Sequence, residues 1–106
     1  MKHVRTEILR FAATQEMQRA LGPLDDVARA AKGCRRVQLL VPDSPRVHFA
    51  LDLAQVDQLT SKLYRFLVCY PGAAVEFPLG PDQTLSLASD VGYAIVTIIV
   101  EHYTEG

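Results

Sequence analysis

The sequence predicts an α+β fold in one compact domain, and three observations carry that prediction. An apolar stripe at helical spacing covers Asp52 to Leu67, several short segments alternate with a period of two, and helical and strand segments are grouped instead of alternating as βαβ units. At 106 residues, with 49% apolar and 22% charged side chains, the chain is one domain with room for one core. A domain of this size buries only somewhat over ~60% of the surface its unfolded chain exposes, so its stability is modest unless it pairs with something.

From the N-terminus, Val4, Ile8, Phe11 and Ala12 recur at helical spacing and predict a helix reaching Leu21; a strand over the first dozen residues is the alternative, because Glu7, Leu9 and Phe11 also fit a period of two. Gly22-Pro23 stops that element. A second helix is expected next, with Pro23 in its first turn, Asp25 and Asp26 at its positive end, Leu24, Val27, Ala28 and Ala31 on one face, and Gly33 as its stop. In Arg35 to Val41, Val37, Leu39 and Val41 alternate with Arg36 and Gln38, a strand with one buried face. Pro42-Asp43-Ser44-Pro45 is a turn, and Arg46 to Leu51 resumes as a strand, which together predict a hairpin.

The central helix has Asp52 as N-cap, Gln55 three residues on, and Leu53, Val56, Leu59, Leu63, Phe66 and Leu67 on its apolar side; it is expected to pack on a mainly antiparallel sheet. Pro71-Gly72 ends it. Ala74 to Leu79 and Thr84 to Ala88 flank Gly80-Pro81-Asp82-Gln83 as a second hairpin. Tyr93 to Tyr103, apolar on both faces and rich in β-branched residues, reads as a central strand fed by the turn Ser89 to Gly92, with a buried helix as the alternative.

Charge constrains function. The net charge of −1 argues against a dedicated nucleic-acid binder, leaving only weak association through Arg35 and Arg36 as a nucleic-acid reading. The charges are unevenly spread: nine basic against five acidic residues up to Arg46, and two against seven beyond it. Such a split steers a charged partner or pairs two copies, unless the halves interleave in space and cancel. The longest apolar run, Ala94 to Val100, is far below the roughly 18 residues of a membrane span. With no charged-then-apolar leader before Cys34 and Cys69, the expected setting is the cytoplasm, where both thiols stay reduced and serve as small core residues.

Chemistry finds little purchase. His3, Cys34, His48, Cys69 and His102 lack metal-ligand spacing, and the glycines form no phosphate-binding loop, so no metal and no cofactor is expected. Cys34, flanked by Lys32, Arg35 and Arg36, would be the favoured thiolate of a minor enzyme using His48 and His102, or part of a small-ligand site. Arg35, Arg36 and Arg46 would form an anion site if the first hairpin sets Arg36 beside Arg46. The favoured reading is a stand-alone protein-interaction module of the adaptor, inhibitor or immunity-protein kind, a homodimer included, that covers a surface of a larger partner without catalysis. Its anchors are Tyr64, Phe66, Tyr70, Tyr93 and Tyr103, because tyrosine and arginine dominate interface energy.

Overall fold

Two antiparallel sheets face each other, which corrects the α+β expectation. The computed structural model describes residues 1–41, 47–51, 67–69, 72, 74–89 and 92–105. Among these the elements run β1 (Lys2–Ala13), β2 (Gln18–Leu21), α1 (Asp26–Ala30), β3 (Cys34–Leu40), β4 (Val47–Leu51), β5 (Leu67–Cys69), β6 (Ala74–Leu79), β7 (Leu85–Ser89) and β8 (Ala94–Thr104). Sheet I has the order β1-β8-β3-β6 and sheet II the order β2-β7-β4-β5. The first strand pairs with the eighth, the second with the seventh, the third with the sixth and the fourth with the fifth; β3–β8 and β4–β7 then close each sheet. A long hairpin bent over on itself in this way is a jelly roll.

The predicted N-terminal helix, reaching Leu21, is replaced by two strands, β1 and β2, in different sheets. Glu7, Leu9 and Phe11 are half-buried and Ala13 is buried, while Thr6, Ile8, Arg10 and Ala12 are exposed, so the period of two wins. Pairing with the whole of β8, from Lys2 opposite Thr104 to Ala13 opposite Ala94, satisfies the backbone more completely than a lone amphipathic helix would. The second helix shrinks to α1, capped by Asp25, whose side chain accepts from the Ala28 N–H at 2.8 Å. Val27, on its predicted apolar face, is 79% exposed. Lys32 then takes a left-handed φ of 54°, and a Cβ at Gly33 would come within 2.9 Å of the Ala28 carbonyl oxygen, so the stop depends on glycine there. The helix expected over Asp52–Leu67 lies outside the described residues except for Leu67, which opens β5.

Both predicted hairpins are also corrected. β3 and β4 lie in different sheets, as do β6 and β7, so neither pair forms a hairpin. The C-terminal segment is the inner strand β8, with neighbours on both sides. Its Ala94, Val96, Ile98 and Val100 point into the sandwich beside Val37 and Leu39 of β3 and Phe77 and Leu79 of β6, opposite Val47, Phe49, Leu85 and Leu87 of sheet II. Phe49 and Phe77 stack across the layers with centroids 5.4 Å apart.

This alternation sets a test on neighbouring isoleucines. Ile98→Ala, at a fully buried position, should lower the unfolding free energy by about 2–5 kcal/mol. Ile95→Ala, at a position 42% exposed, should cost less than about 1 kcal/mol in the same urea titration.

Candidate functional site

The arginines predicted to bind partners divide by strand alternation. Arg35 shares the inward face of β3 with Val37 and Leu39 and is 6% exposed. Its guanidinium donates to the carbonyl oxygens of Gly22 at 2.7 Å, Gly80 at 3.2 Å and Gln83 at 3.1 Å, while its buried Nε has no partner among the described residues. Burial pulls its pKa below the usual arginine value, with Glu7 acting in the opposite sense. The Leu24 N–H donates to the Pro81 carbonyl at 2.9 Å beside it. Arg35 is therefore placed to peg the β2–α1 and β6–β7 connections together.

Arg36 faces outward and is ion-paired with Glu76 of β6, a hydrogen bond that raises its pKa. Tyr103, on the same face, donates to a Glu101 carboxylate oxygen at 2.6 Å, which raises the phenol's pKa, and meets the His3 ring edge-on at 5.3 Å. Tyr93, just before β8, is 68% exposed. Arg46, Tyr64, Phe66 and Tyr70 lie outside the described residues. Because β3 and β4 belong to different sheets, no hairpin sets Arg36 beside the segment that follows residue 46.

Cys34 and His102 share a groove of about 360 Å³ between α1 and the ends of β1 and β8, which Arg5, Leu24 and Val27 also line. The Cys34 thiol is free, half-buried and 3.0 Å from the Met1 sulfur. His102 Nε2 lies 2.8 Å from a Glu7 carboxylate oxygen. His48 sits on β4, in the other sheet, so the structure does not bring these three residues together. Among the described residues no three His, Cys, Asp or Glu side chains group as metal ligands, and no helix is long and apolar enough to cross a membrane.

Sequence reasoning missed the outer side of sheet I. There Ile8, 67% exposed, sits opposite Ile99, and Ala12 sits opposite Ile95, 42% exposed. No described strand pairs with the far side of β1. The signal lay in the second periodicity of the first dozen residues, which puts Thr6, Ile8, Arg10 and Ala12 on one face.

The fold defines a small jelly-roll sandwich, a class that hosts unrelated functions. No protein-family model matches the chain, and no curated protein matches it. Among solved structures it is similar to a chain from work on Bacillus endospore appendages, described as a novel family of disulfide-linked pili. The TM-score is 0.66 at 12% identity, over 99% of this chain and 90% of that one, a likeness that bears on the fold alone.

The two adjacent arginines should separate cleanly in stability. Arg35→Met, which strips three half-buried carbonyls of their donor, should lower the unfolding free energy by about 2–4 kcal/mol. Arg36→Ala, at an exposed ion pair, should leave the denaturation midpoint essentially unchanged.

Proposed function

We propose that this protein is a non-catalytic interaction module that acts by presenting the open edge and outer face of sheet I to a protein partner. The observation that carries the reading is β1, a strand running from Lys2 to Ala13 with one side unpaired among the described residues and Ile8 exposed on it. An edge strand offers a row of free N–H and C=O groups that a partner strand can satisfy, and neighbouring side chains supply selectivity. Ile95 and Ile99 extend the apolar surface inward from that edge, while Thr97, Gln38 and the Arg36–Glu76 pair give it a polar surround. The chain of similar fold comes from appendages that form pili, so this fold is compatible with assembly; the likeness is one of fold. Adaptor, inhibitor and assembly subunit are all served by this surface.

A photo-reactive amino acid placed at position 8 or 95 should give discrete protein adducts in the native host, and one at exposed Lys32 should not. The reading fails if adducts are absent at 8 and 95, or if Lys32 gives the same ones. A thermal shift on adding a small metabolite, without any adduct, would instead return the groove beside Cys34 and His102 to first place.

A further inference from the structure

We propose that the partner of this edge is a second copy of the same chain, with β1 pairing antiparallel to β1 of the copy and Ile8 lying against Ile8 on a two-fold axis. The inference rests on sheet I being the interaction surface and specifies what that surface meets. Identical edges paired about a two-fold axis satisfy each other and close, giving a dimer of two sandwiches joined through one continuous sheet.

Of the four strands that end the sheets, β1 is the one suited to such pairing. β6 carries Pro78, which has no N–H to give, and its Glu76 is engaged by Arg36; proline on an edge strand is a common way to prevent pairing. β2 has 4 residues and the described part of β5 has 3, too short for a strong ladder. β1 has 12 and no proline, and beyond the irregularity between His3 and Arg5 its pairing with β8 runs unbroken to Ala13. Ile8 is more exposed than any other large apolar residue in the described strands.

Charge and pattern select the register. In antiparallel strands directly opposed residues share a face, so symmetric pairing puts one residue on the axis and opposes its neighbours in equal steps. An axis at Glu7 sets two carboxylates against each other, and one at Arg10 two guanidiniums; both arrangements are destabilising. An axis at Thr6 brings the His3–Arg5 irregularity next to the centre and cuts the ladder short. An axis at Leu9 sets exposed Ile8 against Arg10. With Ile8 on the axis, Thr6 faces Arg10, Glu7 faces Leu9 and Arg5 faces Phe11, with no like charges opposed.

That register also agrees with what lies one strand further in. Ile8 is opposite Ile99 within the chain, so the axis creates a row Ile99–Ile8–Ile8–Ile99 across four strands of the outer face. Thr6 is opposite Glu101, so Arg10 of one copy joins the cross-strand row that holds Glu101 of the other. Arg10 has no ion pair of its own among the described residues, and the opposite signs favour this placement.

The test is sedimentation of the full chain over a concentration series, with Ile8→Asp, Ile8→Lys and their equimolar mixture. Each single variant places like charges on the axis and should dimerise at least tenfold more weakly than the wild type. The mixture should recover dimer, because the substituted side chains then oppose each other with opposite charge. Ile8 is exposed, so both variants should keep the wild-type circular dichroism and, at concentrations where the wild type is monomeric, its melting temperature. Arg10→Glu, at a second exposed position, should weaken the dimer without altering the axis. A wild type that stays monomeric to millimolar concentration overturns self-pairing, while adducts from position 8 to a different protein would keep the broader interaction reading. Single variants that dimerise as tightly as the wild type place the interface elsewhere and overturn the edge assignment. Monomeric single variants whose mixture fails to recover overturn the Ile8 register.

Discussion

The sandwich depends on β8 being held from both sides. Its Ala94, Val96, Ile98 and Val100 fill the inner layer while its backbone is shared between β1 and β3, so without it sheet I separates into a lone N-terminal strand and a β3–β6 pair. The strand that completes the sheet is the last in sequence and must find the first, Lys2 lying opposite Thr104. Such pairing closes the longest loop the chain allows, and its entropy is lost before the contacts of the core repay it. The β-branched residues of Ile95 to Val100 suit that role, because they pack on a pleated surface and enter the strand with few rotamers to lose.

The same nesting disposes of the charge split. Four of the six described ladders, β1–β8, β2–β7, β3–β6 and β3–β8, join a strand of the basic half to one of the acidic half, which interleaves the two. Arg36 meets Glu76, Arg29 meets Asp82 at 2.9 Å, Lys32 meets Glu105 at 3.5 Å, and Glu7 meets His102. Part of the asymmetry seen along the chain is taken up by internal pairing. A long-range field for steering partners is correspondingly weaker than the sequence suggests, and recognition falls to short-range contacts.

Strand positions were legible where local pattern speaks alone: β3, β4, β6, β7 and β8 all fall on segments with the expected alternation or β-branched content. Layer was not. Pro42 to Pro45 and Gly80 to Gln83 announce chain reversals, but a reversal within a sheet and an arch between sheets use the same turn residues. The first dozen residues satisfied two periods at once, and the choice between them was made by β8, ninety residues away, which no local pattern contains. At the site, the alternation that puts Val37 and Leu39 inside puts Arg35 there too. Its charge suggested a surface, whereas its parity gave the correct side. The exposed tyrosines were legible as residues, yet no sequence signal placed Ile8, Ile95 and Ile99 in neighbouring positions on one face, because that adjacency is created by the β1–β8 register.

Arg35 and Arg36 show how little of the surface this architecture leaves free. One turns inward, where three carbonyls at the ends of two connections need a donor that the crossing strands cannot supply; the other turns outward and is engaged by Glu76. Among the described residues the two inner faces pack against each other, and the connections at one end are pinned by Arg35. What remains is periphery: the groove under α1, the outer faces and the strand edges. Among the described edges, proline blunts β6, β2 and the described part of β5 are short, and β1 is long and apolar at its middle. Among the described residues the other edges are blunted and this one is open; an unprotected edge invites indiscriminate aggregation unless something covers it, which is the physical reason for the proposal that a partner strand does.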